Sequence, residues 1–356
     1  MRVLATTAAL LLAVVSSTAD GQQSIPFEGE RLVRVMTRNV DHGVIRQIRD
    51  VAAATSLPDL LGKVSAVYDG YFHSDFPARA DALAAEIELI RPELIGVQEA
   101  VLVRTQFPAD GARTPAQTIA LDYVDILLKA LARRGLAYEI AVQKNGFDIE
   151  LPSAAGFDVR HTDREVLLAR SDLPTSDLKL WNAQGGNFAA NCQIPTALLG
   201  PVTIRRSWVS VDAMIRGVPF RLLSTHLDGD CLPFTQFQRA QAAELLEGPA
   251  ATGLPLILLG DLNSPADGTG VTYNDLRLAD FSDAWSVAGR NGAGLTCCQE
   301  DLWSAASTLD RRIDFVLLRG SLHALAAVVT GDQPTQAAPV WPSDHAGVAA
   351  LLRLSR

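Results

Sequence analysis

Residues 254–268 read LPLILLGDLNSPADG, an aliphatic run that stops on an acid and an amide, Asp261 and Asn263. The unbroken stretch Leu256-Ile257-Leu258-Leu259 suits a strand covered on both faces rather than one facing water. Asp and Asn are costly to bury unpaired, so two readings compete. Either the strand meets solvent and turns, with Asn-Ser-Pro and Asp-Gly as turn chemistry, or the pair is presented for chemistry. Alone, the stretch slightly favours the turn.

The rest of the chain repeats the pattern. Strand-like runs occur at 31–40, 93–100, 138–143, 165–170, 206–215, 218–227, 254–263, 312–320 and 346–354. Helical spacing marks 77–91, where Leu83, Ile87 and Ile90 share one side. It also marks 114–135, with Thr114 as N-cap and Gly135 as stop, and 235–248, which ends on Gly248. Nine strands with few helices, not strictly alternating, predict an α/β fold of two sheets packed face to face with helices outside. No repeat and no long linker divides residues 31–354, so one domain is expected there.

The strand ends carry a restricted set of polar residues. Asn39 and Asp41 close the first run, Glu99 the second, His226 the sixth, and Asp261 with Asn263 the seventh; Asp344-His345 precede the last, and Asp314 interrupts an apolar one. Each has an ordinary account. Glu99 could simply meet solvent, Asp314 could pair with Arg311 or Arg312, and a lone histidine is usually a satisfied core or loop residue. Together, carboxylates, carboxamides and two histidines at successive strand ends are what is needed to hold a hard cation on oxygen ligands beside a phosphate.

In order, TRNVDHG (37–43), PELIGVQEA (92–100), STHLDGD (224–230), LLGDLNS (258–264), RRIDFVLL (311–318) and PSDHAGV (342–348) resemble the endonuclease/exonuclease/phosphatase superfamily, the deoxyribonuclease-like group. Its members include secreted deoxyribonucleases, abasic-site endonucleases, sphingomyelinases and inositol-polyphosphate phosphatases. The resemblance runs from about Arg31 to Leu354. It implies a four-layer α/β/β/α sandwich with the site at one edge. Carried over position by position, it implies Glu99 and Asn39 as metal ligands, with Asp41 and Asp344 as further metal-side acids. Asp261 would position or deprotonate the attacking water, and Asn263 would hold a phosphate oxygen. Asp314 would orient His345, the general acid/base or phosphorane-stabilising group. His226 matches a second histidine of some branches, Glu165 its orienting partner, and Arg206 a phosphate-binding position. The implied cofactor is Mg²⁺, with Mn²⁺ or Ca²⁺ as alternatives. The expected substrate is a phosphodiester, in nucleic acid or in a phospholipid head group as a sphingomyelinase takes it.

Two segments depart from the plainest pattern. Asp41 to Phe76 is a longer insertion that could wall the substrate groove, and 185–202 could hide a membrane-contacting apolar hairpin. No tyrosine stands at the position some nucleases use against the substrate backbone.

Composition bounds the setting. The chain has 356 residues, 48% hydrophobic, with formal net charge −9. That disfavours a broad non-specific nucleic-acid binder. Residues 1–19 read as a signal peptide, with Arg2, the apolar run Leu4–Val15, and Ser17-Thr18-Ala19 before cleavage. The expected product is secreted or periplasmic, without membrane insertion or an obligate protein partner. Export permits disulfides among Cys192, Cys231, Cys297 and Cys298. Cys192–Cys231 is the expected pair, because both flank segments that would face the site.

Overall fold

The structure, a computed structural model, describes residues 31–289, 292–335 and 340–355; the segment read as a signal peptide lies outside them. Among the described residues sixteen strands follow in order: β1 (Leu32–Asn39), β2 (Leu94–Gln98), β3 (Leu102–Gln106), β4 (Thr118–Asp122), β5 (Tyr138–Pro152), β6 (Asp158–Arg170), β7 (Leu178–Asn187), β8 (Cys192–Ile194), β9 (Val202–Ile204), β10 (Ser207–Ile215), β11 (Val218–His226), β12 (Leu256–Asp261), β13 (Ser282–Asp283), β14 (Asp314–Arg319), β15 (Leu322–Thr330) and β16 (Gly347–Leu354). They build one sheet in the order β15-β16-β1-β2-β6-β3-β4 with β5 on β6, and a second in the order β13-β14-β12-β11-β10-β7. β8 and β9 form a separate hairpin.

The continuous apolar runs are explained by cover on both faces. Val35, Leu94, Leu167 and Val348 of the first sheet meet Val211, Leu222, Ile257, Leu259 and Val316 of the second in a central core. The opposite face of the first sheet, with Met36, Ile95 and Val166, packs under helices. These are α1 (Ile45–Ala52), α2 (Leu57–His73), α3 (Phe76–Ile90) and α4 (Tyr123–Arg133). Leu256, Leu258 and Phe315 on the outside of the second sheet are covered by α5 (Gln236–Glu247) and α6 (Val271–Leu278), and the short α7 (Ala284–Ala288) lies beside β13 and β14. Two sheets face to face with helices outside, as the strand pattern predicts, make the four-layer α/β/β/α sandwich that the resemblance implies.

All nine sequence-read strands are present, but others escaped. β3 and β4 are five residues long and β7 is polar along much of its length, so they leave little run to recognise, whereas β15, LHALAAVVT, is an apolar run that the strand reading passed over. The helix read over 114–135 is half as long. Thr118–Asp122 pairs with β3 as β4, and Asp122, not Thr114, caps the helix by accepting from Val124 and Asp125 N–H. Tertiary pairing overrode the helical spacing there.

Two glycines record how tightly the layers meet. A Cβ on Gly260 (φ 147°) would lie 1.9 Å from the Thr225 carbonyl of the parallel neighbour β11, so the position before Asp261 admits no side chain. A Cβ on Gly96 would stand 2.5 Å from Ser224 Oγ and 3.2 Å from Leu259 Cβ in the facing sheet. Gly96→Ala is expected to wedge the sheets apart and cost about 1–3 kcal/mol of stability by overpacking. Urea unfolding checks this; a midpoint equal to wild type would mean that the sheets have slack at Gly96.

Candidate active site

Topology gathers the polar strand ends. β1 runs parallel to β2, and β11 parallel to β12, so Asn39, Glu99, His226 and Asp261 emerge at one edge. β14 and β16 are antiparallel to β12 and β1, so their starts bring Asp314 and His345 to the same edge. Asp261 and Asp314 are direct partners in the ladder. The backbone bends sharply where these polar side chains leave the strands: Asp41, Glu99 and Asn263 all have left-handed φ (60°, 57° and 49°). Such values are uncommon for non-glycine residues and persist only where the surroundings impose them.

Asn39 Nδ2 donates to Glu99 Oε1 (2.9 Å) and to Asp261 Oδ2 (3.2 Å), tying the two sheets' acids together. Its Oδ1 accepts from Asp41 N–H (2.9 Å), and Asp261 Oδ1 accepts from Asn263 N–H (2.8 Å). His345 Nδ1 donates to Asp314 Oδ2 (2.9 Å), leaving Nε2 3.7 Å from Asp261 Oδ2. His226 Nε2 lies 3.5 Å from the same oxygen and 3.0 Å from the Asn263 amide. Arg206 Nη1 stands 3.0 Å from His226 Nδ1, on the other side of the ring from Asn263 and Asp261.

The electrostatics assign different states to similar groups. Burial lowers the proton affinity of His345, but Asp314, then Asp261 and Asp344, outweigh it and hold the pKa well above the usual value. His226 goes the other way: burial first, then the Arg206 cation, push it down to about 3, so it is neutral. Asp261 is pushed up to about 7, by burial and then by the Asp314 charge opposite it. Glu99 stays ionised, its desolvation outweighed by His42, His226 and His345. Burial also raises Asp41, and raises Asp344 with Asp41 as the next cause.

This donor set fits a hard divalent cation. Glu99, Asn39, Asp41 and Asp344 offer only oxygen, and the upward shifts of Asp41, Asp261 and Asp344 mark a place where added positive charge would favour the ionised acids. Cys297 and Cys298 are joined to one another, and Cys192 to Cys231 with Cα atoms 6.0 Å apart, so no thiolate competes for such an ion. The Cys192–Cys231 pair is the one expected from the sequence.

All the strand-end residues singled out from the sequence meet at this mouth, with one difference of role. Glu165 does not touch His226. It accepts from Ser224 Oγ (2.5 Å) and Gln98 Nε2 (3.1 Å) between the sheets, and His226 is oriented by Arg206 instead. Arg206 pairs with Asp230 (2.8 Å), and the β6 acid nearest it is Asp163 (3.7 Å), one pleat nearer the edge on the same face. The alternative partners considered for Asp314 are also occupied: Arg312 pairs with Asp283 (2.6 Å) and Arg311 with Asp310 (3.3 Å).

Several contributors were not singled out from the sequence. His42 stands 3.3 Å from Glu99 and 3.5 Å from Asp163, and these acids overcome its burial to raise it to about 9. The buried Arg79 donates to the Val40, Asp41 and Pro342 carbonyls (2.8, 3.2 and 3.3 Å). Arg38 donates to the His345 carbonyl, and Ser343 Oγ to Asn39 O (2.8 Å). His42 and Arg38 sit inside TRNVDHG; Arg79 sits on an apolar helix face, where only its odd placement marked it.

The cleft beside these groups has a volume of about 560 Å³. The 41–76 insertion walls it through Ile48 and Val64, as anticipated. The 185–202 segment differs from the membrane hairpin considered for it: Phe188 is buried in the core under α5, and Ile194 and Leu199 line the cleft. Among the described residues no helix is long and apolar enough to cross a membrane.

Glu165 supplies a check on the sheet interface. Burial lifts its carboxyl well above the usual 4.5. The folded state then keeps a proton that the unfolded chain loses, so stability falls as pH rises above the unfolded value. Between about pH 5 and the folded pKa the expected slope is about −1.4 kcal/mol per pH unit. Glu165→Gln is expected to abolish that slope while leaving the fold intact, read from urea titrations at several pH values. Parallel curves for the two proteins would mean that Glu165 is ionised in the fold.

Comparison with known proteins agrees with this geometry. The Endonuclease/Exonuclease/phosphatase family profile matches residues 71–345. No curated protein matches the sequence. Among solved structures, a family protein from Bacteroides thetaiotaomicron has a TM-score of 0.58 at 16% identity, covering 91% of this chain and 98% of its own. A mannosyl-6-phosphatase from Bacteroides thetaiotaomicron VPI-5482 scores 0.53 at 15% identity, covering 90% and 99%. Truncated Caenorhabditis elegans TDP2 scores 0.50 at 15% identity, covering 91% and 98%. At such identities these structures share the fold, and the profile carries the assignment: this chain belongs to the endonuclease/exonuclease/phosphatase family.

Proposed function

We propose that the chain is an exported, divalent-metal-dependent hydrolase of phosphate esters, with phosphodiesters as its substrates. The observation that supports this most is the convergence on Asp261 of a charged His345–Asp314 pair, a neutral His226 and the Asn39–Glu99 link. Export rests on the N-terminal sequence, with its short apolar run and small residues at 17–19.

Each group has a task. Asp261, poised near neutrality, is matched to take a proton from an attacking water. As the new P–O bond forms and the ester P–O bond breaks, charge grows on the non-bridging phosphate oxygens. The His345 cation, the His226 ring and the Asn263 amide meet it from fixed positions, with no reorganisation at the moment of reaction. Asp314 acts by holding the His345 ring and its charge. The leaving oxygen takes its proton from water at the open mouth. Glu99 and Asn39, with Asp344 and Asp41 at the rim, would hold the cation, Mg²⁺ first, which supplies Lewis-acid neutralisation of the phosphate. A phosphomonoester meets the same groups, and the neighbour named as a mannosyl-6-phosphatase places such esters in the same assay.

With Mg²⁺ or Mn²⁺ present, the purified protein should hydrolyse bis-p-nitrophenyl phosphate, and EDTA should abolish turnover. Insensitivity to EDTA would sink the metal mechanism. His345→Ala and Asp261→Ala are each expected to lower kcat by about 10²–10⁴-fold, with melting temperatures showing that the variants fold. Turnover within a few-fold of wild type would remove these residues from the catalytic set.

A further inference from the structure

The cleft has two halves of opposite character. Its polar end holds Glu99, Asp261, Asn263, His226 and His345. Its other end is an apolar arm with three walls: Ile48 and Val64 from α1 and α2, Phe147 and Val159 from β5 and β6, and Ile194 and Leu199 from the β8–β9 hairpin. A cavity of this size, mostly apolar with a few convergent polar groups, suits one small molecule. It does not suit a polyanion. Among the described residues its lining carries no lysine; its cations are Arg49, Arg206 and the charged His42 and His345, clustered with Glu99, Asp163, Asp230 and Asp261. Arg206 is already engaged by Asp230 (2.8 Å) and His226 (3.0 Å). Nucleic acid would need rows of Lys and Arg along the groove.

At the junction of the halves stands His161, 5% exposed. Its Nδ1 accepts from the Tyr71 hydroxyl (2.5 Å), whose proton has no other acceptor among the described residues. The ring proton is therefore on Nε2, and that buried atom has no protein partner. His161 lines the cleft edge-on to His42 (ring centroids 5.2 Å apart), which in turn contacts Glu99. Buried donors are nearly always satisfied, so an unmet N–H on a cleft wall marks where a ligand acceptor belongs.

We propose that this arm selects the substrate: an amphiphilic phosphate ester whose phosphate lies at Asp261 and His345, whose hydrocarbon substituent fills the apolar arm, and whose ether, ester or hydroxyl oxygen near the phosphate accepts from His161 Nε2. The inference rests on the phosphate-ester reading above and names the substrate class. Because the hairpin turns Ile194 and Leu199 into the cleft, the ester enters as a single molecule and not from a bilayer surface.

Binding tests the arm independently of turnover. Hexylphosphonate should bind at least 30-fold more tightly than methylphosphonate by calorimetry in the presence of Mg²⁺, since each buried methylene contributes up to roughly four-fold. Leu199→Asp should erase that preference; equal affinities in the wild type would overturn the proposal, whatever the variant does. In turnover, hexyl p-nitrophenyl phosphate should exceed the methyl ester in kcat/KM by a similar factor, mainly through KM. His161→Phe should lower kcat/KM about tenfold more for an ester with an ether oxygen beside the phosphate than for the plain hexyl ester. Equal loss on both esters would remove His161 from recognition. Monomeric short-chain phospholipid should be cleaved in preference to vesicles of the long-chain form. Cleavage confined to vesicles, or plasmid DNA preferred over the hexyl ester, would overturn the assignment. Retained hexylphosphonate preference with no ester hydrolysed would instead defeat the phosphate-ester reading while leaving the arm as a binding site.

Discussion

The site is organised by two carboxylates that should not be neighbours. Asp261 and Asp314 face each other across one ladder step, both almost fully buried, where like charges repel with little solvent to screen them. The arrangement holds because His345 reaches in from a different sheet and brings a proton between them. The cost is spread rather than removed. Asp314 keeps His345 charged, and Asp261 is driven up to about 7. A buried acid near neutrality beside a fixed cation is thus a consequence of packing β14, β12 and the start of β16 at one edge.

Holding that edge requires more than strands. Parallel pairs β1/β2 and β11/β12 deliver side chains of the same kind to the same side, but the loops beyond them expose carbonyls. Arg79 collects carbonyls from both sides of the mouth, and Arg38 fastens the His345 backbone to β1. Buried guanidiniums with several oxygen partners are rigid, because losing any one contact strands a desolvated charge. Arg79 holds the Asp41 carbonyl in this way, while Asn263 is fixed by its own N–H on Asp261 Oδ1 (2.8 Å) and by Gln238 Nε2 on its carbonyl (2.9 Å), each keeping a left-handed backbone without glycine.

Much of this was legible beforehand. Both-face cover of the strands was written in the unbroken aliphatic runs, and the strand-end acids, amides and histidines stood out because each interrupts such a run. LPLILLGDLNSPADG, read alone, leaned toward a turn. The fold keeps the turn but not the solvent: Asn263 turns the chain with a left-handed φ, and Asp261 beside it is buried at the mouth. What misled was spacing without register. Glu165 and Asp163 lie on the same face of β6, and only the packing of β6 against Ser224 and Gln98 decides that Glu165 is held between the sheets while Asp163 reaches Arg206. The helix expected from Thr114 failed similarly, since pairing with β3 claimed its first turns.

The sequence by itself determined the layers and the inventory of reactive groups, because periodicity and chemistry are local properties of a chain. Tertiary structure alone decided the states and partners of those groups. His226 is neutral and His345 charged chiefly through groups far away in sequence: Arg206 approaches one, and Asp314 and Asp261 join the neighbouring Asp344 around the other. The apolar arm is likewise invisible along the chain. Its walls come from an insertion near residue 50, a strand pair near 150 and a hairpin near 200, and a cavity exists only where segments far apart in sequence fail to fill the space between them.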